Sequence, residues 1–209
     1  KTLCITFNRV DPSACSFCRL LLQNCGFSVP YETLRQVPNS DIRKQSIERT
    51  GCVQVPIHVG KKNESLYLQD QIDRLFTTTP IDDERNALNV DGKLYPQYQE
   101  TISLGKEPPQ QILLQMKRFG NDLKKIQNPL NIPKNQIIDC TKAFREAGEK
   151  VEYRITGAIH HNGNVGGGHY RGYTLKGDKW YEADDSTITA KQQIDSILST
   201  AYILVLEKV

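Results

Sequence analysis

From residue 101 onward the chain is a succession of short strand-like segments: TISLG, QILLQMKRF, NQIIDC, VEYRITGAIHH, HYRGYTLK, KWYEA and YILVLEK. β-branched and aromatic residues concentrate in them, and turn-forming stretches separate them, most clearly GNVGGG and KGDK. Neighbouring strands joined by tight turns pair antiparallel. Residues 101–209 are therefore expected to form a mainly antiparallel sheet, with one short helix near 191–198. The whole chain is then α+β.

The preceding residues differ in character. Over 1–76 the pattern predicts a small α/β unit of order β-α-β-α-β-β-α. Leu3, Ile5 and Phe7 alternate through a first strand. A helix from Cys15 to Cys25 carries Phe17, Leu20, Leu21 and Leu22, and Gly26 ends it. SVPYETLRQV reads as a second strand, and Asn39, Ser40 and Asp41 offer caps for a polar helix running to Arg49. VQVPIHVG and ESLYLQ read as strands and DQIDRLF as a short helix. Residues 77–100 are a polar connector with a hairpin expected at Asp91-Gly92.

Composition narrows the function classes. A net charge of +3, with lysines and arginines scattered in short pairs such as Lys61-Lys62, argues against a nucleic-acid surface. No apolar run approaches the roughly 20 residues of a membrane span. The first residues do not have the layout of a signal peptide. The chain begins at Lys1, as an excised piece of something longer would. Its cysteines, at 4, 15, 18, 25, 52 and 140, form no matched pairs of CxxC. Reduced thiols and a cytoplasmic location follow, in the cell's own cytosol, a host's, or the nucleus. No cofactor is called for.

The stretch that carries chemistry is GGGHYRGYTLKGDKWYEADDS. Gly166, Gly167 and Gly168 lead His169 onto a strand that turns at Gly177-Asp178 and returns to Asp184-Asp185. In a hairpin of that length the first residues of one arm face the last of the other, so His169 and the aspartates meet at its open end. A carboxylate beside an imidazole fixes its tautomer and stabilises the imidazolium, as the base and orienting acid of a nucleophilic triad do. On spacing alone, a surface histidine near a turn and a solvated acidic pair account for the same residues.

The segment GGHYRGYTL…KWYEADDSTIT…AYILVLEK resembles the C-terminal signature of the ubiquitin-specific proteases. PPQQILLQMKRFGNDLKKIQNPLNIP is similar to the same family's second signature, and LNVDGKLYPQYQETISLGKEPP to the end of its fingers region. The resemblance covers about 85–209 and implies a papain-like palm and a deubiquitinating cysteine protease, with ubiquitin or a ubiquitin-like modifier as partner. By position it makes His169 the general base, Asp184 the residue that orients it and Asp185 an assisting acid. Gly167 and Gly168 match the glycines that admit ubiquitin's narrow C-terminal tail. Tyr170 and Trp180 read as packing residues. The cysteine pair with which the family often binds zinc in the fingers is not here, so no metal site is expected.

The nucleophile is the open position. The family's cysteine box has no full counterpart, and the nearest stretch, DPSACSFCRLLLQNC, fits its spacing with Ser16 in the cysteine's place. Cys15 is the candidate thiolate if the register slips; otherwise the thiolate comes from sequence upstream of Lys1. A second, weaker resemblance, of residues 1–76 to a glutaredoxin, makes Cys15 and Cys18 a redox pair and Pro56 the cis-proline facing it. The alternatives are then a thiol oxidoreductase, or an inactive module that binds ubiquitin without cleaving it. Residues 1–50 also read as a reduced thumb. His160-His161 is expected as an exposed strand-end pair, and His58 as a core residue.

Overall fold

The computed structural model describes residues 28–59, 65–120, 122–144 and 148–209. In chain order the strands are β1 (Val29–Gln36), β2 (Arg43–Thr50), β3 (Val53–Pro56) and β4 (Leu66–Tyr67), then helix α1 (Leu68–Leu75). Next come β5 (Thr79–Asp82), β6 (Leu88–Val90), β7 (Lys93–Tyr95), β8 (Gln97–Ser103), β9 (Gln111–Lys117), β10 (Leu130–Asn131) and β11 (Ile137–Asp139). The chain ends with β12 (Glu152–Asn164), β13 (Gly167–Lys176), β14 (Lys179–Asp184), β15 (Thr187–Lys191), helix α2 (Asp195–Ser199) and β16 (Ile203–Lys208).

The main sheet has the order β15-β14-β13-β12-β16-β9-β3, and β11 pairs with the start of β12. Every pairing in it is antiparallel except that of β3 with β9. Alternation explains which face is covered. In β9, Ile112, Leu114 and Met116 are buried; β16 adds Leu204 and Leu206, and β12 adds Tyr153 and Ile155. Helix α1 packs on β3 and buries Leu68 and Ile72. Removing one such side chain from water contributes about 1.5–3 kcal/mol. The helix expected near 191–198 is present as α2, and no helix of the described residues is long and apolar enough to cross a membrane.

A second sheet, β2-β1-β8-β5, is antiparallel throughout. Here the reading of the sequence needs correction. The polar helix expected up to Arg49 is instead strand β2, paired with β1 along all eight residues of each. Asn39 is not a helix cap. It takes a left-handed φ of 57° in the reversal, where Ser40 Oγ donates to Val37 O and accepts from Ile42 N–H. A side-chain pattern suited to a helix yields because β1 offers the backbone a complete ladder. The order β-α-β-α-β-β-α therefore does not hold over the described part of 1–76.

Pro56 is also not as expected. No peptide bond among the described residues is cis, and Pro56 ends β3 opposite Lys117, in the same sheet as residues 101–209. The candidate residues Cys15 and Cys18 lie outside the described residues. In the connector, β6 and β7 form the hairpin at Asp91-Gly92, whose amide is held by Asn89 Oδ1 at 3.1 Å.

Candidate active site

The hairpin of β13 and β14 turns at Gly177, φ 60°, and its register is Lys176–Lys179, Leu175–Trp180, Thr174–Tyr181, Tyr173–Glu182 and Gly172–Ala183. Side chains alternate between faces along each strand. Leu175, Tyr173, Arg171 and His169 therefore share one face with Trp180, Glu182 and Asp184. Past Gly172 the ladder with β14 ends, while β12 still holds β13 through Asn162–His169 and His161–Tyr170. That support carries His169 out to the open end of the hairpin, where it meets Asp184.

The contact is His169 Nε2 to Asp184 Oδ1, 2.5 Å. An ionised carboxylate only accepts, so Nε2 carries the proton; in the neutral ring Nδ1 then keeps its lone pair. Both side chains remain open to solvent, at 44% and 33% exposure, so a second reactant can reach the ring. The other oxygen, Asp184 Oδ2, is 3.0 Å from Arg171 Nε, a partner the sequence reading had not singled out. Asp185 is exposed and adopts a left-handed φ of 52° in the two-residue turn into β15, a conformation aspartate tolerates better than most residues. His169, Asp184 and Asp185 bring ligand-capable atoms within 4.8 Å of one another, but the Arg171 guanidinium on Asp184 is a poor neighbour for a metal cation.

Below this face the hairpin is anchored by a buried carboxylate. Glu182 is 8% exposed and accepts from the Tyr173 hydroxyl at 2.6 Å and from Lys191 Nζ at 2.6 Å. Lys191, then Tyr173 and nearby Arg171, hold its carboxyl below the usual range, while burial and then the Glu182 carboxylate raise Tyr173 to about 12. Trp180 is buried, as a packing residue should be.

The opposite face is aromatic. Tyr170, 53% exposed, stacks on His161 with centroids 4.5 Å apart, and Phe119 and Tyr202 close around the same imidazole. His161 is only 3% exposed, which corrects the expected exposed pair: Phe119, Tyr170 and Tyr202 pack around its ring. Burial, then the charge of Lys125, lowers the pKa of His161, and burial chiefly lowers that of His160. His58 is corrected in the other direction. It lies just beyond β3 and is exposed, with its amide held by Gln71 Oε1 at 2.8 Å.

Gly167 and Gly168 precede His169 on exposed backbone, but their surroundings differ. A Cβ at Gly167 would meet nothing within 4 Å, whereas one at Gly168 would run into His161 Nε2 and the Asn162 carbonyl. The described cysteines, Cys52 and Cys140, are both buried, and burial pushes each thiol up to about 12. Neither can supply a thiolate near neutral pH.

A mainly antiparallel sheet that presents an imidazole, oriented by a carboxylate, at an exposed hairpin end has the geometry that a base and its orienting acid require. The family model for ubiquitin carboxyl-terminal hydrolase matches residues 16–206, and the chain belongs to that family. It is 30% identical over 187 residues to ubiquitin carboxyl-terminal hydrolase 12 of Saccharomyces cerevisiae, covering 83% of this chain and 14% of that protein. To ubiquitin carboxyl-terminal hydrolase 10 of Arabidopsis thaliana it is 27% identical over 154 residues, 71% of this chain and 16% of the relative. The chain thus spans about a sixth of the length of these relatives, or less. Among solved structures, the SAGA DUB module of Ubp8, Sgf11, Sus1 and Sgf73 bound to monoubiquitin matches with a TM-score of 0.69 at 18% identity, over 88% of this chain and 41% of the other. The same module bound to ubiquitin aldehyde matches at 0.67 and 17%, over the same shares. The fold is shared with these structures.

Proposed function

We propose that this chain supplies the general base and orienting acid of a deubiquitinating cysteine protease, which hydrolyses the isopeptide bond after ubiquitin's C-terminal glycine. The observation that carries this reading is the 2.5 Å contact of His169 Nε2 with Asp184 Oδ1 on the exposed end of a hairpin. With Nε2–H committed to the carboxylate, Nδ1 takes the thiol proton. It then returns that proton to the departing lysine amine, while Asp184 stabilises the imidazolium between the two steps. The thiolate comes from Cys15 or from a longer protein of which this chain is part. Ubiquitin, present in the matching Ubp8 structures, is the partner; its tail passes Gly167 and Gly168 on the way to His169.

A ubiquitin probe with a C-terminal electrophile tests the reading, applied to this chain and to the full-length protein. The expected result is one labelled cysteine, with labelling lost in His169→Ala and with Cys52 and Cys140 unmodified. If no cysteine is labelled in either form, the protease reading fails.

A further inference from the structure

Arg171 stands two residues after His169 on the same face of β13, and its Nε forms an ion pair with Asp184 Oδ2 at 3.0 Å. His169 occupies the other oxygen of that carboxylate at 2.5 Å. We infer that Arg171 is a positioning residue: by holding Oδ2 it fixes the plane of the Asp184 carboxylate and keeps Oδ1 turned to the imidazole. The inference rests on the hydrolase reading for its catalytic consequence, but not for its geometry.

A carboxylate with a single partner rotates about its Cβ–Cγ bond, a broad torsion with little preference of its own. A hydrogen bond on one oxygen and an ion pair on the other restrict that freedom. The guanidinium suits the task because its N–H groups form a rigid fork. That fork is steadied from the other side as well. Arg171 Nη1 is 3.8 Å from Oε1 of buried Glu182, which Tyr173 and Lys191 pin in place. His169, Asp184, Arg171 and Glu182 thus form a continuous polar row down one face of the hairpin, ending on a buried carboxylate with two close polar partners.

Arg171 also opposes Asp184 electrically, because a cation on the carboxylate competes with the imidazolium for it. Which effect wins is decided by exposure. Arg171 is 45% exposed and Asp184 33%, so water and salt weaken the charge effect. The close packing of the guanidinium against Oδ2 restricts rotation of the carboxylate whatever the screening, and is not weakened in the same way. The net role is therefore supportive.

The test is steady-state hydrolysis of a fluorogenic amide of the ubiquitin C-terminus by the full-length protein, comparing wild type, Arg171→Gln, Arg171→Lys, Asp184→Asn and the double variant Arg171→Gln/Asp184→Asn. Loss of alignment should lower kcat of Arg171→Gln by about tenfold to a hundredfold. KM should stay within about twofold, since no substrate contact is removed. Arg171→Lys should recover part of the loss, and Arg171→Gln should add nothing once Asp184 is Asn. A kcat for Arg171→Gln within about twofold of wild type, or an undiminished further loss in the Asp184→Asn background, overturns the inference. A readout independent of turnover is the nitrogen-15 spectrum of the His169 ring. It should show the Nε2–H tautomer in wild type and a mixture in Arg171→Gln. An altered ring with no hydrolysis in wild type upholds the positioning and sinks the hydrolase reading. Hydrolysis with an unaltered ring and unaltered kcat does the reverse.

Discussion

Gly168 lies so close to the ring of His161 that a single added methyl would occupy the space of Nε2. The residue before His169 is thus set by the packing of the far face of the hairpin. Gly168→Ala should push β13 away from β12, lowering stability by about 1–3 kcal/mol and disturbing the His169–Asp184 contact. Gly167 has open space around it, so Gly167→Ala should leave the urea midpoint unchanged. If the ubiquitin tail passes there, it should still lower kcat/KM. Comparing midpoint and kcat/KM for the two variants separates packing from substrate contact. Equal midpoints would contradict the packing role of Gly168.

Removing the base or its partner should abolish hydrolysis without unfolding the protein. His169→Ala and Asp184→Asn are each expected to reduce kcat by about 10²–10⁴-fold. Because both side chains are partly exposed, stability should move by no more than about 0.5 kcal/mol. Rates and urea midpoints measured side by side check both halves. A parallel fall in stability would make the pair structural.

Arg118 is expected to behave in the opposite way. It is 1% exposed and donates to the carbonyls of Ala201, Ile126, Asn128 and Ser199, tying the turn after β9 to the segment between α2 and β16. Burial draws its pKa down to about 10, which still leaves it charged at neutral pH. Arg118→Ala strands four acceptors in the interior and should cost about 3–5 kcal/mol. Denaturant unfolding measures this, and a loss under about 1 kcal/mol would show that water replaces the guanidinium.

Stability should also fall in mild acid. Burial lowers the pKa of His160 and His161 from 6.5, so below that value the unfolded chain binds protons that the folded chain resists. The stabilisation is complete above pH 6.5 and is lost as pH drops through the folded values. The lowered carboxylates Asp139 and Glu182 start from 3.8 and 4.5 and do not act in this window. Urea midpoints at pH 7.0 and 5.5 should differ in wild type and differ less in His161→Phe. An equal drop in both would remove His161 from the account.

Much of this was legible in the sequence because it depends on local periodicity. A tight turn at Gly177-Asp178 and strict alternation set the register that brings His169 to Asp184. The same two-residue count would have placed Arg171 beside Asp184, had the face been read as a row rather than as a pair. What escaped depends on distant partners. β2 is polar on both faces and becomes a strand only because β1 runs beside it. β15 is exposed along nearly its whole length, and its apolar Ile188 stays in solvent rather than marking a core face. His161 reads as a polar strand end until Phe119, Tyr170 and Tyr202, from three other segments, close over it.

The pairing of β3 with β9 joins parts of the chain far apart in sequence. Val53 lies 61 positions before its partner Leu114, whereas only 15 separate His169 from Asp184. Closing the longer loop costs more entropy, and contacts of long sequence separation form slowly. The amides of β13 and β14 should accordingly gain protection in pulsed hydrogen exchange before those of β3 and β9; simultaneous protection would refute this. The chemical pair is then an early product of folding, formed before the edge strand β3 joins the sheet.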